Sequence, residues 1–113
     1  CGVTVPRNVN CSEGVWVWGA GSGGVRVIKV LKAHGVRVKG VLDSDMAKCG
    51  LVVGGYRVES PSGLQLRNEC IIVATLFSSG VEEYLNREGM RRGENFETVD
   101  FDRLEKYELM NDL

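Results

Sequence analysis

The sequence predicts an α/β domain in which a parallel sheet carries helices on both faces, giving three layers. Two observations lead to this fold class. The apolar run at residues 15–18 is followed by a glycine-rich turn and then by a helical pattern, an order typical of a strand–turn–helix unit. Residues 70–74 are apolar at every position, which is typical of strands covered on both faces by helices.

The first half of the chain reads as a βαβ unit. A strand at residues 15–18 is followed by a helix from Ser22 to His34, which Gly35 ends. The apolar face of this helix is predicted to contain Val25, Ile28 and Leu31, widened by Val27 and Val30. A second strand is expected at residues 36–42. A crossover helix between two such strands implies that the strands are parallel and that the crossover connection is right-handed.

The second half continues the alternation. A glycine-rich connector occupies residues 49–58, and a short strand at 56–59 is expected to overlap its end. A short helix is expected next, from an N-cap at Ser60 through Leu66. The remaining elements are a strand at 70–74, a helix at 79–86, a strand at 96–99 and a helix at 101–110. We expect residues 1–14 to be an arm or linker and residues 15–113 to be the domain. Because the chain begins with Cys1 and not Met, we expect it to be a piece of a longer protein.

Composition limits the classes of partner. The chain has 113 residues, a formal net charge of -1 and a pI near 5.9, so we expect no nucleic-acid or membrane partner. No apolar run approaches the roughly 20 residues that cross a bilayer, and no secretory signal is visible. A cytoplasmic location is therefore expected. The cysteines form no CxxC pair and one histidine accompanies them, so we predict reduced thiols and no metal site.

The sequence Gly19-Ala20-Gly21-Ser22-Gly23-Gly24 fits the pattern G-x-G-x-x-G. Its place between a predicted strand and a predicted helix favours a phosphate-binding turn of the Rossmann-like fold. Gly19 would allow the sharp turn, Gly21 would let a pyrophosphate approach the backbone, and Gly24 would let helix and strand pack closely. The helix N-terminus would direct its N–H groups and positive dipole at the phosphates.

Two further segments are expected at the same edge of the sheet. Asp43 ends the second strand, 19 residues after Gly24, where an acidic side chain can bind a ribose and disfavour a 2′-phosphate; Ser44 adjoins it. Thr75 and Leu76 follow the buried strand and would line the same crevice. The alternatives are that Asp43 is a turn residue and that Ser78 or Ser79 simply caps the next helix.

No catalytic residue is predicted. The histidine, His34, lies at a predicted helix end, and the chain has no short-chain-dehydrogenase Tyr–Lys pair and no P-loop. We therefore expect the chain not to be catalytic on its own.

The segment from Val15 to about Asn95 resembles the Rossmann-like N-terminal domains of sugar acyltransferases and of capsular polysaccharide biosynthesis proteins with a nucleotide-sugar epimerase or dehydratase domain. The residues that carry the resemblance are the run 15–24, the segment 38–45 that contains Asp43, Gly54–Val58 with Pro61 and Leu64, the strand and threonine at 71–75, and the segment 81–85 leading to Gly89. The resemblance implies a domain that binds a nucleotide or nucleotide-sugar. The catalytic parts of those enzymes are absent from this chain.

Together, motif and resemblance predict a binding module for NAD or a nucleotide-sugar in polysaccharide biosynthesis. It would serve an adjacent catalytic domain or subunit, and a homo-oligomer is a further assembly that such a module could form. One alternative is a truncated NAD-dependent sugar dehydrogenase or epimerase. Another is a regulatory or interaction domain whose ligand site is vestigial.

Overall fold

The computed structural model describes residues 2–111. In chain order its strands and helices are β1 (Val15–Trp18), α1 (Ser22–Ala33), β2 (Val38–Leu42), β3 (Val52–Val53), β4 (Tyr56–Glu59), β5 (Ile71–Val73), α2 (Ser78–Arg87), β6 (Phe96–Thr98) and α3 (Phe101–Met110). Short 3-10 helices occupy Val9–Glu13, Pro61–Gly63 and Leu66–Asn68. Within residues 2–111, no helix has the length and apolar character needed to cross a membrane.

The strands form one sheet in the order β3-β4-β2-β1-β5-β6. β1 lies inside the sheet and pairs in parallel with β2 on one side and β5 on the other, so that Val17 is opposite both Val41 and Ile72. β4 and β6 also pair in parallel with their inner neighbours. The predicted parallel βαβ unit is therefore confirmed.

The side chains of β1 alternate between two hydrophobic cores. Val15 and Val17 belong to a core that includes Leu31 of α1 and Leu104 of α3. Trp16 and Trp18 belong to a second core that includes Leu85 of α2. Helices thus cover both faces of the sheet, as the three-layer Rossmann-like prediction requires. The continuous apolar run in β5 divides in the same way, with Ile72 in the first core and Ile71 and Val73 in the second.

The glycine-rich connector contains a hairpin that the sequence analysis did not predict. β3 pairs with β4 in the antiparallel direction, Val52 opposite Arg57 and Val53 opposite Tyr56. The turn between them is Gly54-Gly55, with φ of +59° and +89°, a combination that favours tight hairpins. β3 has only two residues and Val52 is exposed, so it has no alternating pattern from which a strand can be predicted.

Three local predictions need correction. The helix expected from Ser60 through Leu66 is replaced by two 3-10 helices, separated by an extended Leu64 (ψ 152°), although Ser60 does cap the first of them. β2 begins at Val38, because the N–H of Val36 donates to Leu31 at the end of α1. Val25 is 44% exposed.

The exposure of Val25 follows from helix geometry. The buried stripe of α1 contains Gly24, Val27, Ile28 and Leu31, which recur at spacings of three and four. Val25 lies about 100° around the helix from Gly24. It therefore points away from the sheet.

The segment before β1 is packed against the domain. Val3, Pro6 and Cys11 are buried, and Cys11 forms a disulfide with Cys70 at the start of β5. The prediction of reduced thiols is thus wrong for this pair, because two cysteines 59 positions apart are brought together only by the tertiary fold. Disulfides are uncommon in the reducing cytosol, so this one weighs against the expected cytoplasmic location. Cys49 is free, and Cys1 lies outside the described residues.

Candidate functional site

The carboxyl ends of three adjacent strands meet at one edge of the sheet. The N–H of Gly19, just after β1, donates to the carbonyl of Leu42 at the end of β2 (2.9 Å). The N–H of Ala74, just after β5, donates to the carbonyl of Trp18 (2.8 Å). The three loops that follow these strands therefore start side by side, as expected for a ligand crevice in an open parallel sheet.

The glycine turn is closely packed at Gly19 and Gly24 and faces open space at Gly21. Gly19 has φ +142°, and a Cβ there would lie 2.7 Å from the carbonyl oxygen of Ala74. A Cβ on Gly24 would overlap with the carbonyl oxygen of Gly19. Around a Cβ on Gly21, by contrast, no heavy atom lies within 4 Å. The turn thus has room for a ligand on the side of Gly21.

The N-terminus of α1 faces this open space without a competing acceptor from its own cap. Gly21 is the N-cap residue and supplies no side-chain hydrogen bond, and the first turn contains no acidic side chain. The first N–H groups of a helix have no intrahelical partner, and they carry the positive end of the helix dipole. An anion placed over Gly21 would therefore be stabilised by both.

Asp43 connects the end of β2 to the glycine turn. Its Oδ2 accepts a hydrogen bond from the N–H of Ala20 (3.0 Å), and its Oδ1 accepts one from the N–H of Asp45 (2.8 Å). The hydrogen bond from Asp45 is a turn interaction, so the interpretation of Asp43 as a turn residue is correct for its Oδ1. The first bond holds the carboxylate beside the turn.

The crevice has two adjoining compartments. The turn compartment, over the glycine turn, has a volume of about 310 Å³, and the α2-side compartment, beside α2, has about 560 Å³. Both are lined by Asp43, Lys48, Thr75 and Phe77. These shared residues make the compartments two parts of one crevice.

Most of the residues predicted from the sequence lie along this crevice. The turn compartment is lined by Gly19, Ala20, Gly21, Ser22, Gly23, Asp43, Thr75 and Leu76. Ser44 lines the α2-side compartment. Gly24 lines neither, because it lies buried against Gly19.

The loop after β5 does not cap α2 with a serine. The N-cap residue of α2 is Phe77, and α2 has no side-chain cap. The hydroxyl of Thr75 instead accepts a hydrogen bond from the N–H of Phe77 (3.2 Å). The alternative role of Ser78 or Ser79 as a helix cap is therefore wrong, while Phe77, 87% exposed, stands at the rim of both compartments.

The α2-side compartment has an aromatic wall that the sequence analysis did not assign to the site. Trp18 and Tyr84 pack edge to face, with ring centroids 5.7 Å apart, and both line the compartment. Burial of the phenol raises the pKa of Tyr84, and the carboxylate of Glu88 raises it further. Tyr84 therefore stays protonated at neutral pH and above.

Arg26 closes another side of the turn compartment. Its Nε lies 3.1 Å from both carboxylate oxygens of Glu108 on α3, and its Nη2 also donates to Glu108. Hydrogen bonding to Glu108 raises the pKa of Arg26 and lowers that of Glu108. The guanidinium also lies 5.7 Å from the ring centroid of Phe101. This contact between α1 and α3 links residues 82 positions apart, so no local sequence signal could have indicated it.

The histidine of the chain lies away from the crevice. His34 is the C-cap residue of α1, at the opposite end of the helix from the glycine turn. Its Nε2 lies 3.1 Å from the hydroxyl oxygen of Tyr107. Within residues 2–111 no group of three or more histidine, cysteine, aspartate or glutamate side chains could hold a metal ion. The chemistry that the crevice offers is binding of anions, hydroxyl groups and rings.

Comparison with known proteins supports the fold. No protein-family model matches the chain, and no curated protein sequence matches it significantly. Among solved structures, it is similar to RSP, a Rex-family repressor, in complex with β-NADH, with a TM-score of 0.55 and 18% identity over 88% of this chain and 63% of that one. It is also similar to UDP-D-quinovosamine 4-dehydrogenase from Vibrio fischeri, with a TM-score of 0.58 and 19% identity over 88% of this chain and 84% of the enzyme.

A third similar structure is RSP in complex with β-NAD+ and operator DNA, with a TM-score of 0.56, 17% identity and coverage of 88% of this chain and 59% of the repressor. This chain therefore spans less than two thirds of the length of the repressor chains. At these identities the similarity establishes the Rossmann-like fold that these proteins share.

Proposed function

We propose that this chain is a nucleotide-binding module that holds a dinucleotide of the NAD type or a nucleotide-sugar. The observation that carries the proposal is the open space over Gly21, which faces the uncapped N-terminus of α1 and adjoins Asp43. A phosphate in that space would accept from the backbone N–H groups. A ribose hydroxyl could donate to the carboxylate of Asp43, which retains lone pairs beyond its two backbone bonds.

The known ligands of the structural neighbours support the same class of ligand. RSP was solved with β-NADH and with β-NAD+, and the Vibrio enzyme is named for a UDP-sugar. The sequence resemblance to sugar acyltransferases and capsule biosynthesis proteins suggests that the module serves a neighbouring catalytic domain in glycan biosynthesis. The crevice offers groups that can bind a nucleotide, which fits a role beside such a domain.

A second candidate is a piece of an NAD-dependent sugar dehydrogenase or epimerase. It is favoured by the similarity to the Vibrio dehydrogenase, because the match covers 84% of that enzyme. Continuous reduction of NAD+ by the isolated chain in the presence of a UDP-sugar would support this candidate. It would also overturn the proposal of a non-catalytic module.

The proposal is tested by ligand-induced thermal stabilisation with NAD+, NADH and a UDP-sugar. At a ligand concentration of 100 Kd, binding to the native state alone adds about 2.7 kcal/mol of stability, a shift of about 10 °C in Tm for a domain of this size. Gly21→Leu should abolish the shift, because its side chain would fill the phosphate position. The matched control is Gly63→Leu, at another glycine whose Cβ direction is empty but which lies outside the crevice.

Two outcomes would contradict the proposal. If no nucleotide shifts the Tm of the wild-type chain, the module does not bind this class of ligand. If Gly21→Leu retains the full shift while remaining folded, the ligand lies elsewhere and the glycine turn is not its site.

A further inference from the structure

Two basic side chains line the α2-side compartment without an acidic partner. Lys48 comes from the loop after β2, and Arg87 comes from the last turn of α2. Neither takes part in an ion pair with any other residue that the structure describes, whereas Arg26 and Lys39 pair with glutamates within 4 Å. The loop and the helix thus bring two unneutralised cations to one cavity.

The acidic side chain among the lining residues does not neutralise these cations by direct contact. Asp43 is not within ion-pair distance of either base, and its two oxygens already accept hydrogen bonds from Ala20 and Asp45. Ser60 and Ser62 add hydroxyl groups to the same wall, where their oxygens lie 2.9 Å apart. The compartment therefore combines positive charge with hydroxyl donors, the set that binds phosphoryl groups.

Lys48 also lines the turn compartment. A ligand whose first phosphate lies over Gly21 can therefore extend past Lys48 towards Arg87 without leaving the crevice. The aromatic pair Trp18 and Tyr84 lines the same compartment and offers a surface for an apolar or ring-shaped part of the ligand.

We propose that Lys48 and Arg87 form a subsite for a second phosphoryl group of the bound nucleotide. This inference rests on the proposed function, since it requires the first phosphate to lie on the glycine turn. The second phosphoryl group is either the 2′-phosphate of a phosphorylated dinucleotide or the outer phosphate of a nucleoside diphosphate. The negative charge of Asp43 by itself would repel a 2′-phosphate. The positive charges of Lys48 and Arg87 would offset this repulsion.

The experiment compares ligands that differ by one phosphoryl group. Dissociation constants are measured by titration calorimetry for AMP against adenosine 2′,5′-bisphosphate and for UMP against UDP. Each pair tests one source of the second phosphoryl group. The variant is the double substitution Lys48→Gln and Arg87→Gln, and the control is Lys106→Gln with Arg91→Gln, an exposed lysine and arginine outside both compartments.

We expect the wild-type chain to prefer the second phosphoryl group in at least one pair, by about tenfold in Kd, the effect of one charge-assisted hydrogen bond of modest strength. The Lys48/Arg87 variant should lose this preference, so that it binds the two members of the pair with similar affinity. The control variant should retain the preference. A preference in the adenosine pair identifies the 2′-phosphate, and a preference in the uridine pair identifies the diphosphate.

Other outcomes overturn the subsite. If the wild-type chain binds both members of each pair equally, or if the Lys48/Arg87 variant keeps the preference, the subsite does not exist although the glycine turn still binds phosphate. If the variant weakens mono- and bisphosphates equally, the two bases act on the whole crevice and not on a second phosphoryl group. If the wild-type chain binds none of the four ligands, the proposed function fails together with the subsite.

Discussion

The carboxylate of Asp43 accepts a hydrogen bond of 3.0 Å from the backbone N–H of Ala20. This bond joins the end of β2 to the glycine turn that follows β1. The other carboxylate oxygen of Asp43 accepts a hydrogen bond from the backbone N–H of Asp45 (2.8 Å) and holds the start of the loop after β2. One side chain therefore shapes the turn and contributes a negative charge to the crevice.

Replacement of Asp43 should separate these two contributions. Asp43→Ala removes both hydrogen bonds and should lower the free energy of unfolding by about 1–3 kcal/mol. Asp43→Asn retains an acceptor oxygen, so we expect a smaller loss of stability but weaker binding of a ribose-containing ligand. Denaturant unfolding and titration calorimetry measure the two effects, with Asp45→Ala as the control. An Asp43→Ala variant as stable as the wild type would show that the bond to Ala20 contributes nothing to stability.

The glycines of the turn should respond in opposite ways to the addition of a methyl group. Gly24→Ala should destabilise the domain by about 3 kcal/mol or more, because the new Cβ overlaps with the carbonyl oxygen of Gly19. Gly21→Ala meets no atom within 4 Å and should change stability by no more than about 1 kcal/mol, the effect of a poorer N-cap residue. Thermal unfolding of the two variants checks the contrast. Equal destabilisation would contradict the packing described for this turn.

The disulfide between Cys11 and Cys70 should stabilise the domain. It closes a loop with a sequence separation of 59, for which the chain-entropy estimate is about 4 kcal/mol. Cys11→Ser should therefore lower the Tm, whereas Cys49→Ser, at a free cysteine, should change it little. Alkylation of the denatured, unreduced protein followed by peptide mapping should modify Cys49 and spare Cys11 and Cys70. Alkylation of Cys70 in that experiment would rule out the disulfide.

The pair Arg26 and Glu108 predicts a loss of stability in acid. The pKa of Glu108 is lowered in the folded chain by its hydrogen bond to Arg26. The contribution of this pair is therefore present above the ordinary pKa of 4.5 and is lost as the pH falls through the lower folded value. Because Arg26 is 38% exposed, the effect should be below about 1 kcal/mol.

Glu108→Gln should flatten the part of the stability curve that lies below about pH 4.5. The measurement is urea unfolding at a series of pH values. Glu83→Gln, at an exposed position on α2, is the control. An identical pH profile in the wild type and in Glu108→Gln would exclude a folded-state interaction of this carboxylate with Arg26.

Much of this structure could be predicted from local sequence. The apolar runs of β1 and β5 indicate buried strands because helices cover both faces, and the glycine spacing at 19–24 indicates a strand–turn–helix unit because close backbone contacts there exclude a Cβ. Asp43 was correctly placed beside the turn, since adjacent parallel strands end at the same edge of a sheet. These features depend on residues close in the chain or on the repeating geometry of a βαβ unit.

The tertiary structure decided what depends on distant residues. The disulfide from Cys11 to Cys70, the contact from Arg26 to Glu108 and the placement of Lys48 and Arg87 on one compartment have no local pattern. Each depends on segments that become neighbours only when the sheet and its two helical layers are assembled. The sequence by itself therefore determined the parallel fold and the glycine turn. The packing of loops and helices around that turn determined the shape and charge of the crevice.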